Sequence, residues 1–131
     1  MFNRTGRIIF NTDADDSFCI VSDRHRISEV LINILTNADK NTSEGSITVD
    51  CSVKEKPGMV TITVTDTGVG ISKDKHKEIF KRYQKLNTMK QGSGLGLDIC
   101  RTIVNKLGGE IDIDPEYTNG ARFWFTIPTG Q

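Results

Sequence analysis

Residues 24–41, RHRISEVLINILTNADKN, carry two helical stripes at once, and this double pattern limits what the rest of the chain can build. Ile27, Val30, Leu31, Ile34, Leu35 and Ala38 follow the i, i+3, i+4, i+7, i+8, i+11 spacing of a helix with one face in a core. Glu29, Asn33, Asn37 and Lys40 lie four, four and three residues apart on the other flank, so they stack along the helix axis. Asparagine is a poor residue for a helix interior because its amide competes for backbone hydrogen bonds. Two of them one turn apart mark either a solvated face or a row of ligands, and the helix alone leaves both readings open.

The chain has 131 residues, enough for one domain (1–131) with a single core. Lys+Arg and Asp+Glu both count 17, so the overall charge gives no reason to expect nucleic acid or an anionic membrane as partner. From Lys73 to Lys90, however, six lysines and Arg82 face only Asp74 and Glu78, a basic segment inside a neutral chain. Cys19, Cys51 and Cys100 show no CxxC or Cys/His ligand spacing and read as small buried residues of a reducing compartment. There is no apolar run of membrane-spanning length and no signal-like amino terminus, so the expectation is a cytoplasmic domain without membrane contact.

Taken in order, Arg7 to Thr12 and Ser17 to Val21 read as two short strands around the acidic turn DADD, expected to pair as a hairpin. Ser22 or Asp23 offers an N-cap for the central helix, which should stop between Asn41 and Gly45. Ile47, Val49, Cys51 and Val53, then Val60, Ile62 and Val64, alternate with polar residues on either side of a KEKPG turn, the pattern of an antiparallel pair with one buried face. DTGVGI (66–71), a short helix over 73–83 anchored by Ile79 and Phe80, and a polar loop over 84–91 follow. GSGLGL (92–97) opens a second long helix that Gly108-Gly109 stops, and two more strands, 110–114 and 121–127, close the chain around Asn119-Gly120. The expected class is α+β, a two-layer sandwich with helices on one face of a mixed, mostly antiparallel sheet.

Two of these segments could carry chemistry. A glycine loop before a helix, as in GSGLGL, lets backbone N–H groups approach phosphate oxygens at the positive end of the helix dipole. The order of elements excludes a Rossmann site, since no strand of a βαβ unit leads into it. Asp66, at the end of a strand, is either a turn-forming aspartate or a carboxylate that accepts a hydrogen bond from an exocyclic amine such as adenine's.

The four blocks NILTNADK, DTGVGI, EIFKRY and GSGLGL, in this order, resemble the N, G1, F and G2 boxes of the catalytic ATP-binding domain of bacterial sensor histidine kinases, relatives of Hsp90, MutL and DNA gyrase B. The resemblance runs from about Gly6 to Pro128 and implies the Bergerat-type ATP-binding fold, a left-handed βαβ sandwich that holds ATP between the central helix and a flexible lid. It makes Asn37 the Mg²⁺ ligand. Asn33 then contacts phosphate or metal-bound water, and Lys40 offsets phosphate charge. Asp66 reads the adenine amine, with Gly68 and Gly70 keeping the turn thin. Gly92, Gly94, Leu95 and Gly96 form the phosphate-side lid hinge, and Arg82 approaches the γ-phosphate, while Phe80 anchors the lid. Asn41 stands where the family often has an aromatic residue, and the loop before GSGLGL is short.

Position 33 bears on the reaction. Hydrolysing relatives and anti-sigma-factor serine kinases resemble one another in placing a glutamate base there, and an amide cannot accept a proton from water at neutral pH. The resemblance therefore implies transfer of the γ-phosphoryl group from MgATP to a histidine on a separate dimerisation domain, and beyond it to a response regulator. A serine kinase that silences a sigma factor, or an interaction module with a non-catalytic nucleotide pocket, are the alternatives. The family's phosphoacceptor motif, His followed by an acidic residue, is absent here, because His25 precedes Arg26 and His76 precedes Lys77. The chain is thus expected to be an excised catalytic domain, unable to autophosphorylate alone, from a parent of unstated membrane attachment.

Overall fold

The structure is a computed structural model that describes residues 7–15, 20, 22–41, 45–68 and 96–130. Its sheet has five strands, β1 (Arg7–Thr12), β2 (Ser46–Ser52), β3 (Met59–Asp66), β4 (Ile111–Ile113) and β5 (Arg122–Pro128), in the order β1-β2-β3-β5-β4. Among the described residues the helices are α1 (Arg24–Asn41) and α2 (Leu97–Lys106), and the short helix expected over 73–83 and the loop over 84–91 lie outside the described residues. All neighbours are antiparallel except β1 and β2, which run parallel with α1 between them in the chain. This is the expected mixed, mostly antiparallel α+β sheet.

Register explains which side chains meet the helices. Val49 pairs with Val64, Val64 with Phe123, and Phe123 with Ile113, so one continuous apolar row crosses four strands. A second row joins Ile62, Phe125 and Ile111. Val30, Ile34 and Ala38 of α1 and Cys100, Ile103 and Val104 of α2 close over these rows, and all six are buried. Burying such side chains contributes roughly 1.5–3 kcal/mol each, so this face is the main source of stability. The helix layer stops short of β1, where Ile8 and Phe10 share the face of Ile47 and Val49 yet remain 43% and 63% exposed.

The helix ends follow from local chemistry. Asp23 caps α1, its Oδ1 accepting from Arg26 N–H at 3.1 Å, while its carbonyl accepts from Ile27 N–H. At the other end of α2, Gly108 takes φ +95°, its N–H reaches the Asn105 carbonyl, and Gly109 N–H reaches the Val104 carbonyl, both at 3.0 Å. These two bonds make a Schellman motif and satisfy carbonyls the helix leaves unpaired.

The hairpin expected at the amino terminus, with 17–21 as its second strand, is not seen among the described residues. β1 instead pairs with β2 along its whole length, Arg7 opposite Ser46 through Thr12 opposite Cys51. The acidic turn is the reason. Asp13 accepts from Val53 N–H and from the Ser52 hydroxyl, both at 2.7 Å, and so fastens the end of β1 to the end of β2. These bonds hold its carboxyl below the usual aspartate value. Of the second proposed strand, residues 17–19 and 21 lie outside the described residues, and Ile20 is not in a strand. Cys51 is half-buried rather than buried, Cys100 is buried, and Cys19 lies outside the described residues.

Candidate functional site

Asp66 ends β3 with its side chain turned to the helix side of the sheet, opposite Ile47, and it is only 1% exposed. A carboxylate so placed needs donors. Its Oδ1 accepts from Gly68 N–H at 2.9 Å and from Ala121 N–H at 3.1 Å. Burial pushes the carboxyl above its ordinary value, and the two N–H groups pull it back toward the ionised form. Both bonds fall on Oδ1, so among the described residues Oδ2 is the atom left for a ligand. The backbone around Asp66 is fixed as well, with its N–H donating to the Ala121 carbonyl and its carbonyl accepting from the Tyr117 hydroxyl at 3.0 Å.

Gly120 makes this cradle possible. It takes φ +152°, and a Cβ there would lie 2.0 Å from the Asp66 carbonyl oxygen and 2.8 Å from Oδ1. Tyr117, Gly120 and Ala121 are functional-site residues that the sequence reading did not single out. Asn119-Gly120 was visible only as a turn, because nothing in the sequence shows that the β4–β5 loop folds back on a residue more than fifty positions earlier.

Asn33 and Asn37 lie on α1, both half-buried. The Asn33 amide donates to Cys100 Sγ at 3.1 Å and to the Gly96 carbonyl at 3.5 Å, tying the middle of α1 to the start of α2. The amide oxygen is the remaining polar atom of Asn33. Burial raises the Cys100 thiol to about 11, so it stays protonated at neutral pH. Gly96 itself is buried as the N-cap of α2, at φ −86°, a backbone conformation that does not require glycine. Asn37 is bonded to nothing among the described residues. Glu29 is held by Arg26 at 2.8 Å, and His25 is an exposed histidine on the first turn of α1.

The structure thus brings Asn33 together with Gly96, and Asp66 with Gly68, while α1 packs on β3. The backbone of Lys40 lies in the last turn of α1, and its side chain lies outside the description. Gly70, Arg82, Gly92, Gly94 and Leu95, with His76 and Phe80, lie outside the described residues altogether. Among the described residues no three His, Cys, Asp or Glu side chains gather to hold a metal. Mg²⁺ uses few protein ligands and keeps waters and phosphate oxygens, and the Asn37 amide oxygen, whose side chain makes no hydrogen bond among the described residues, is of the hard, neutral kind such an ion accepts. No helix among the described residues is long and apolar enough to cross a membrane.

Comparison with known proteins agrees with this arrangement. The chain is 37% identical over 112 residues to the adaptive-response sensory kinase SasA of Nostoc sp., covering 84% of this chain and 28% of that protein. The chain therefore spans little more than a quarter of that relative's length. The nucleotide-free catalytic domain of histidine kinase ThkA superposes with a TM-score of 0.77 at 31% identity, covering 94% of this chain and 78% of that one. Full-length ShkA in complex with AMPPNP superposes with a TM-score of 0.79 at 30% identity, covering 95% and 26%. The histidine kinase-, DNA gyrase B- and HSP90-like ATPase profile matches residues 22–131, from the cap of α1 to the end of the chain. With its buried Asp66 cradle, its asparagine-bearing α1 and these likenesses to sensor histidine kinases, the chain belongs to the histidine kinase-, DNA gyrase B- and HSP90-like ATPase family.

Proposed function

We propose that this domain binds MgATP and presents its γ-phosphoryl group to a histidine on a separate phosphoacceptor domain. The observation that carries the reading is the Asp66 carboxylate, buried and fixed by two backbone N–H groups through Oδ1. Oδ2 accepts from the exocyclic amine of adenine, and Gly68 keeps the approach to it free of side chains. The complex of ShkA with AMPPNP, an ATP analogue, supports a nucleotide as the ligand. MgATP, when bound, supplies the phosphoryl group and the cation that neutralises it.

The residues of this chain bind and orient. Asn37 offers its amide oxygen to Mg²⁺. Asn33, its amide N–H₂ engaged by Cys100 and Gly96, turns its oxygen toward phosphate or metal-bound water. Arg82 and Lys40 supply positive charge, and Gly70, Gly92, Gly94 and Leu95 complete the turn and hinge around the nucleotide. No described side chain at this place is a free general base, because Asn33 is an amide and Glu29 is held by Arg26. The nucleophile is then an imidazole from another domain, and catalysis rests on positioning and charge neutralisation. The structure of ThkA in complex with the response regulator TrrA supports a regulator as the next acceptor.

The test is label transfer from γ-labelled ATP, with Mg²⁺, to a dimerisation domain bearing a phosphoacceptor histidine supplied in trans. The expected product is an acid-labile, base-stable phosphoprotein. Acid-stable label on a serine, or release of phosphate to water with no labelled protein, would overturn the reading.

A further inference from the structure

The face of the sheet turned away from the helices holds a groove of about 410 Å³. Its floor follows from register. Asp50 of β2, Thr63 of β3 and Trp124 of β5 pair in one row, with Thr61 and Arg122 beside it. Glu55 and Lys56, from the β2–β3 turn, and Asp114, just after β4, form the rim. None of these residues belongs to the nucleotide side.

Three observations give the groove a ligand class. The first is charge. Asp114 is paired with Arg122 at 3.3 Å, which leaves Asp50 and Glu55 opposed by Lys56 alone, a net negative rim. The second is the ring. Lys56 places its ammonium 5.4 Å from the Trp124 centroid, so the indole face is already used as a seat for a cation. The third is a polar orphan. Thr61 is only 5% exposed, and its hydroxyl has no hydrogen-bond partner among the described residues. Buried hydroxyls are rarely left so, and this one lines the groove.

We propose that the groove binds an organic cation, a guanidinium or alkylammonium group that replaces Lys56 on Trp124, neutralises Glu55 and Asp50, and donates a hydrogen bond to the Thr61 hydroxyl. Lys56 acts as the chain's own placeholder and sets a threshold that the ligand must exceed. A cation rather than an anion is selected because the carboxylates lining the groove, Asp50 (which accepts from the neutral Asn11 amide at 3.2 Å), Glu55 and Asp114, outnumber its cations, Lys56 and Arg122. The site lies across the sheet from Asp66, so it can be filled with or without nucleotide.

Trp124 is the sole tryptophan of the chain, so its fluorescence reports on this groove directly. The probes are arginine amide and citrulline amide, both acetylated on the α-nitrogen so that the second carries no charge, and a glycine-flanked arginine peptide, titrated into the whole chain. The expected result is a saturable change with arginine amide and none with citrulline amide. Lys56→Gln should tighten binding and Glu55→Gln weaken it, each by about threefold, the size of one exposed cation–π or ion-pair contact. Thr61→Val should weaken binding while leaving the far-ultraviolet spectrum unchanged. A peptide that binds at least about tenfold tighter than the amide would identify a protein segment as the source of the cation. Equal affinities would identify a free small molecule, and both results support the site. The proposal is overturned if no saturable change occurs with any charged probe, if citrulline amide behaves like arginine amide, or if Lys56→Gln leaves affinity unchanged.

Discussion

At the residue scale, the proposed reading of adenine rests on Asp66. Asp66→Asn keeps an oxygen for Gly68 and Ala121 but turns a second N–H₂ toward the adenine amine, donor against donor. Nucleotide affinity should fall by at least about tenfold, the cost of an unpaired polar contact. The unfolding midpoint at neutral pH should not fall, because the amide oxygen keeps both backbone bonds and burial disfavours the charged carboxylate it replaces. The pH dependence follows with opposite signs. The raised folded value means that the contribution of Asp66 to stability is full below the ordinary 3.8 and is lost as pH rises through the folded value. Nucleotide binding needs the ionised form, so it is full above the folded value and falls as pH drops through it. Calorimetric titrations across the acidic range should show this fall beginning above 3.8 in the native chain and absent in Asp66→Asn. Asn33→Glu makes the converse change, placing a general base where an amide stands, and steady-state phosphate release should rise by on the order of a hundredfold. An unchanged rate would contradict the account of position 33. Asp66, Gly68, Asn33 and Asn37 were legible as candidates because motif and helical spacing are local properties. The Tyr117–Ala121 cradle was not, because only the folded sheet brings β5's leading loop to the end of β3.

Among elements, the caps and turns hold the site in place. Asp23→Ala removes the side-chain bond to Arg26 N–H and should cost about 1 kcal/mol in urea unfolding, with the slope unchanged. Gly120→Ala forces a Cβ against the Asp66 backbone at a positive φ, and should cost about 2–4 kcal/mol while abolishing nucleotide binding. Chemical denaturation and calorimetry on the same samples separate the two effects. The four later strands and both helices were readable within a residue or two, since alternation and the 3.6-residue period are strong over their lengths. β1 was placed correctly, but its parallel pairing with β2 was not foreseen. Pairing is non-local, and the signal that settles it, Asp13 bonded to Ser52 and Val53, joins residues about forty apart. A turn-like DADD in the sequence is equally an anchor for a parallel neighbour.

For the whole molecule, the layers separate two faces with different work. The helix face carries the core and the residues proposed to hold nucleotide, and the opposite face carries Trp124 and its groove. The fold class was legible because both halves of the pattern, amphipathic helices and alternating strands, point to one buried layer between them. The proposed phosphoryl acceptor was not legible in physical terms, since an acceptor on another domain leaves no trace in this one's packing. The most direct measurement is thermal unfolding with AMPPNP and Mg²⁺ in the native chain, in Asn37→Ala and in Asp66→Asn. Ligand at about a hundred times its Kd adds roughly 2.7 kcal/mol, which is roughly 10 °C in midpoint for a domain of this size. The account predicts a shift of that order that requires Mg²⁺ in the native chain, a shift reduced and no longer Mg²⁺-dependent in Asn37→Ala, and a shift at most about half as large in Asp66→Asn. An equal, Mg²⁺-independent shift in all three proteins, or no shift at millimolar nucleotide in the native chain, would contradict it.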